Sequence, residues 1–197
     1  MIRLLLILVV LFGSVPAWAA DNPPSTQDKL HYLGDYSLAL GRKFGCDGKG
    51  DEMVSDIKRY TYVLQFDDAD GTAAQEVAKQ NLTDGIKQSK ADQASCPTVA
   101  QHATEVESAA RDNRALMQSA GHNIALVSGA AQACNVPSDE VEQMLKAGML
   151  YTHNDGDDAK PPVSQWLAEG HSEVATNKIG CDTVKAIFGQ VKTIFTP

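Results

Sequence analysis

Two short acidic runs are the residues of this chain most able to do chemistry: Asp67-Asp68-Ala69-Asp70-Gly71 and Asn154-Asp155-Gly156-Asp157-Asp158. Carboxylates beside a glycine are the makings of a calcium loop. Such a loop needs oxygen ligands at positions 1, 3 and 5, glycine at 6 and glutamate at 12. With Gly71 at position 6, Phe66 falls at position 1 and Val77 at position 12; with Gly156 there, Tyr151 falls at position 1. Neither run fits, so both read as solvated helix–helix turns. A weak cation site at Asp67, Asp68 and Asp70 is the sharper alternative.

The other reactive residue types are scattered. His31, His102, His122, His153 and His171 show no i, i+4 pair, and the spacing predicts surface or capping positions for them. The chain has no Gly-x-Ser-x-Gly elbow, no His-Glu-x-x-His and no glycine-rich phosphate loop. Cys46, Cys96, Cys134 and Cys181 form no Cys-x-x-Cys, which disfavours zinc. In an exported chain four cysteines pair as disulfides. Composition and motif together predict no catalytic site, no metal and no cofactor.

The elements that carry these residues are written twice. Gly129 lies 129 − 41 = 88 positions after Gly41, and residues 36–70 align with 124–158 at that offset. Beyond the acidic turn the offset becomes 181 − 96 = 85, which aligns residues 77–99 with 162–184. Shared positions include Gly41/Gly129, Cys46/Cys134, Asp67/Asp155, Gly85/Gly170 and Cys96/Cys181. If each copy makes the same bridge, the pairs are Cys46–Cys96 and Cys134–Cys181. Each closes a loop of about 50 residues, which loop entropy makes worth about 4 kcal/mol.

Apolar spacing predicts four helices per copy. In the first copy Leu30, Leu33, Tyr36, Leu40 and Phe44 make the stripe of a helix over about 26–45, capped by Ser25 with Asp28. Leu116, Ala120, Ile124, Val127 and Ala131 do the same in the second copy. A second helix starts at Gly50 or Ser138, with Asp51-Glu52 or Asp139-Glu140 in its first turn, where the helix dipole favours acids. Its stripe is Met53, Ile57 and Tyr60, or Val141, Leu145 and Gly148. Third helices are expected over about 73–90 and 162–177, and fourth helices from each second cysteine. Gly41 and Gly129, costly inside a helix, imply close helix crossings. Tyr32, Tyr60, Tyr62, Tyr151 and Trp166 belong on or near the inner faces. The expected fold is all-α: a tandem duplication of a disulfide-stapled four-helix module, about eight helices, each module an up-down-up-down bundle. The modules span 21–112 and 113–197, joined by a near-continuous helix over about 98–133.

The ends and the charge bound the setting. Met1–Ala20 has a basic Arg3, an apolar run Leu4–Phe12, a breaking Pro16 and small residues at Ala17 and Ala19, the pattern of a secretory signal peptide. Cleavage is expected after Ala19 or one residue later. Formal charge is −8, and loss of the leader makes it 16 − 25 = −9. That balance disfavours nucleic acid and anionic membrane surfaces, both of which need basic patches. No stable membrane anchor is expected, and the expected location is the periplasm or outside the cell.

In organisation, with export, long-span disulfides and small helical modules, the chain resembles two groups of periplasmic helical proteins. One is the acid-stress chaperones, with one long-span disulfide per helical domain. The other is the immunity proteins that neutralise cell-wall-degrading toxins. The chaperones have one module where this chain has two, and no functional residue is carried over from either group. Export, rigidifying disulfides, an acidic surface, the lack of a catalytic constellation and duplication predict a non-enzymatic, protein-binding factor, inhibitor or immunity type ahead of chaperone type. A small-ligand or cation binder using the cleft between modules is the alternative. Asp67, Asp68, Asp70, Asp155, Asp157 and Asp158 are the candidate binding residues.

Overall fold

The computed structural model describes residues 24–196 apart from 49, 51, 68, 157, 158 and 177. The leader Met1–Ala20 lies outside the described residues. Every regular element among those residues is a helix: α1 (Thr26–Asp47), α2 (Met53–Leu64), α3 (Gly71–Ala91), α4 (Cys96–Asp112), α5 (Arg114–Ala133), α6 (Ser138–Tyr151), α7 (Lys160–Ala175) and α8 (Cys181–Phe195). None is long and apolar enough to cross a membrane. The chain forms two compact units that divide between Arg114 and Ala115. Only Asn113, with non-helical dihedrals, separates α4 from α5.

In the first unit α1 starts at a full capping box. The Asp28 N–H donates to Ser25 Oγ, and the Ser25 N–H donates back to Asp28 Oδ2. Hydrogen bonds from Ser25 hold the Asp28 carboxyl below its usual range. The helix runs past Gly45 and stops at Gly48, whose φ of 67° is the left-handed cap that glycine reaches without strain. Gly45 was expected to end α1. It lies instead inside the helix because it packs against Ser89 and Ile86 of α3, where no side chain would fit. The start of α2 also differs from expectation. Glu52 flanks the helix at the N-cap position without a side-chain hydrogen bond, Asp51 lies outside the described residues, and Asp56 is the first-turn acid.

The core of this unit is the crossing of α1 and α3. Gly34 faces Val77 and Asn81, Gly41 faces Leu82, and Gly45 faces Ile86 and Ser89, so the two helices run parallel. A Cβ on Gly41 would enter the Leu82 carbonyl oxygen, and one on Gly85 would enter that of Leu38. Backbone therefore touches backbone. The buried residues of α3 are small: Gly71, Ala74, Ala78, Gly85 and Ser89. Larger side chains fill the other flanks of α1, with Leu33 and Leu40 buried and the Tyr36 ring 4.4 Å from that of Tyr60.

The second unit is built around α5, which is buried from Ala120 to Ala131 except at the half-buried Asn123. Gly129 meets the Leu167 carbonyl and Gly170 that of Leu126, so α5 and α7 also touch through backbone. On α6, Gly148 admits the side chain of Ile124. Val141, Met144, Gly148 and Met149 make its buried stripe, with Leu145 only half-buried. α8 contributes Val184, Ile187, Phe188, Val191, Ile194 and Phe195.

Each unit is bridged at one end. Cys46–Cys96 and Cys134–Cys181 are both formed, at Cα separations of 5.5 and 5.3 Å. Each ties the end of the unit's first helix to the first residue of its fourth. Thiols paired in this way persist in an oxidising compartment.

Gly129→Ala should cost about 3 kcal/mol in urea unfolding, because a backbone carbonyl has to move. Gly189→Ala, in a helix with nothing near its Cβ position, should instead gain about 0.5–1 kcal/mol. Equal effects of the two changes would refute the backbone contact.

Candidate functional site

The acidic turns sit at the end of each unit opposite its disulfide. In the first unit Gln65, with φ 51°, ends α2 and turns the buried Phe66 inward. Asp67 Oδ1 then accepts the Asp70 N–H at 3.0 Å, and Asp70 Oδ2 accepts the Thr26 hydroxyl at 2.8 Å. Lys29 Nζ donates to the Gln65 carbonyl at 3.0 Å. Burial lowers the Lys29 pKa, against the pull of Asp67 and Asp70, which favours its charged form. Thr26 and Lys29 open α1 and Cys46 lies at its far end, about 26 Å from Lys29 along the helix.

In the second unit His153, with φ 55°, occupies the place of Gln65. Asn154 is buried where Phe66 would align. Its Nδ2 donates to the Met117 carbonyl at 3.1 Å and to the carbonyl and hydroxyl oxygens of Thr152. Asp155 and Gly156 are exposed. The structure thus brings Asp67 and Asp70 together in one turn and places Asp155 in the other. Asp68, Asp157 and Asp158 lie outside the described residues. No group of three or more His, Cys, Asp or Glu side chains among the described residues could hold a metal ion.

Four of the five histidines are exposed, and His31 and His102 reach Asp35 and Glu105 on their own helices. His122 departs from the expected surface placement. Its side chain is 5 % exposed, with Nε2 3.1 Å from Glu169 Oε2 and its ring 5.2 Å from that of Trp166. Gln165 Nε2 donates to the other oxygen of Glu169. Tyr32 also departs from expectation, since it is exposed rather than inward. A signal for His122 did exist. Its aligned partner is Gly34 and that of Trp166 is Asn81, so two positions that face each other across one crossing both changed to rings.

The first unit holds a feature that no motif announced. Asp56 of α2 pairs with Arg59 at 3.0 Å, and Lys43 of α1 pairs with Glu107 of α4 at 3.0 Å. Burial raises the Asp56 carboxyl above its usual range; Arg59 and Arg111 oppose that, and Glu107 adds to it. The aligned residues of the second unit are apolar: Ala131 for Lys43, Met144 for Asp56 and Ala147 for Arg59. At these aligned positions the first unit carries half-buried charge and the second carries apolar side chains, while the second unit's own ion pair, Lys192 with Glu140, joins α8 to α6 elsewhere.

No family model, no curated protein and no solved structure matches the chain.

The raised Asp56 means that the fold binds its proton more tightly than the unfolded chain does. Its contribution to stability is therefore greatest at acid pH and is lost as pH rises through the folded value. Asp56→Asn should flatten the fall in stability as pH rises above the ordinary carboxylate value of about 4. Identical slopes for variant and wild type, measured by denaturant titration, would show that burial does not penalise this charge.

Proposed function

We propose that the chain is an exported, periplasmic, non-enzymatic factor that binds another protein, of inhibitor or immunity type ahead of stress-chaperone type. The observation that carries this reading is the build of the acidic ends. A long-span disulfide locks one end of each unit. The opposite end presents a turn already fixed by its own side chains, through Asp67, Asp70 and Thr26 in one unit and Asn154 in the other. A surface ordered before binding loses little conformational entropy on association. Its negative charge suits a basic partner and speeds encounter with one.

The reading includes descent of the two units from one by duplication. Supporting it, Gly41 meets Leu82 as Gly129 meets Leu167, and Gly85 meets Leu38 as Gly170 meets Leu126, all at the sequence offsets of the repeat. Left-handed Gln65 and His153 are likewise aligned. Duplication supplies two acidic ends from one design.

The test is capture from an envelope extract of the producing organism with the oxidised protein as bait. One stoichiometric partner is expected, and Asp155→Lys, a change at an exposed position, should weaken capture about tenfold. A long, shifting list of captured proteins at acid pH would favour the chaperone type. Capture that ignores the charge reversal would remove the acidic ends from the proposal.

A further inference from the structure

The two backbone crossings diverge at one level. Where α1 and α3 carry Gly34, Asn81 and Asp84, the aligned positions of α5 and α7 are His122, Trp166 and Glu169. In the first unit Asn81 Nδ2 lies just 3.4 Å from where a Gly34 Cβ would be, and it donates to the Val77 carbonyl of its own helix. In the second unit an imidazole fills the corresponding place, against an indole and a carboxylate. We propose that this trio is a proton-responsive contact between α5 and α7, through which the second unit senses pH by the charge of His122.

Histidine is the side chain whose charge ordinarily changes between about pH 5 and pH 8. Neutral His122 donates one hydrogen bond from Nε2 to Glu169. Adding a proton to Nδ1 makes the ring an imidazolium and turns that bond into a charge-assisted one. The geometry suits a sensor. The ring is 5 % exposed while Glu169 is 41 % exposed, so the charge appears inside the crossing and its counter-ion stands at the rim. Gln165 orients the carboxylate from one turn away.

The carboxylate against the ring is that of Glu169. Elsewhere on α7, Lys160 starts the helix, His171 is exposed, and Glu173 binds Lys178. α6 meets this part of α5 through Gly148 against Ile124, and Thr152 sits beside Gly121; neither residue titrates. Beyond α6, His153 and Asp155 are exposed. On α8, Asp182 and Lys185 lie in the first turns, at the disulfide end, and Lys192 is paired with Glu140. On α5 itself the other charged group is Arg114, at its start.

Trp166 provides the readout. The chain has two tryptophans, and Trp18 lies in the leader, so the mature protein, or the full chain carrying Trp18→Phe, has Trp166 as its single indole, 5.2 Å from the imidazole. Its emission, followed from pH 8 to pH 5, should change along a one-proton curve. His122→Gln should abolish that curve. Glu169→Gln, at a half-exposed site, should move the midpoint to lower pH, because the anion that favours the imidazolium is gone. Far-UV circular dichroism checks that each variant is folded. A flat wild-type profile, a curve that survives His122→Gln, or a midpoint unmoved by Glu169→Gln would each overturn the proposal.

Discussion

Direct contact between helix backbones is the constraint on which both units depend. Where Gly41 meets the Leu82 carbonyl and Gly129 meets that of Leu167, no side chain separates the helices. The spacing of the parallel pair is therefore set by the main chain. The remaining helices pack against a pair already fixed. This explains why α3 buries mostly glycine, alanine and serine, and why bulk is supplied from elsewhere, by Leu33, Tyr36 and Tyr60 in one unit and by α8 in the other. It also explains how the disulfides come into reach. Fixing the first helix of each unit fixes the position of the cysteine at its end.

Around that shared frame the two units solve the same packing problem with different chemistry. Half-buried charges gather in the first, where Lys43 pairs with Glu107 across α1 and α4 and Asp56 pairs with Arg59 along α2. Such pairs lose much of their attraction to desolvation, and the raised Asp56 carboxyl records that loss. The aligned positions of the second unit carry Ala131, Met144 and Ala147 and pay no such penalty. Its buried polar groups include Asn154 in the far turn and His122 along the α7 crossing.

Much of the fold was readable in the sequence because it rests on periodicity and repetition. The helices, the Ser25 capping box, the cysteine pairs and the Gly41 and Gly129 crossings all follow from spacing. Errors fell where one residue type can serve two ends. Gly45 looked like a helix terminus, yet its smallness serves a crossing, and the terminating glycine is Gly48. His122 looked like four other scattered histidines, since burial depends on what a distant helix places opposite, and that is Trp166 and Glu169. The Asp56 cluster was hidden for the same reason: its members come from three helices and share no motif. Of the acidic turns, sequence located the charges but not their work. Asp67 and Asp70 spend hydrogen bonds on the turn itself.

The two bridges do not interleave. Cys96 follows Cys46, and Cys134 comes only after that pair is complete. A chain delivered N-terminus first into an oxidising space therefore meets its cysteines in native order. Simple first-come pairing gives the correct connectivity, and the first loop can close before a wrong partner has emerged. Such a protein would need an oxidase during translocation but no isomerase afterwards, an economy that interlaced bridges would forbid.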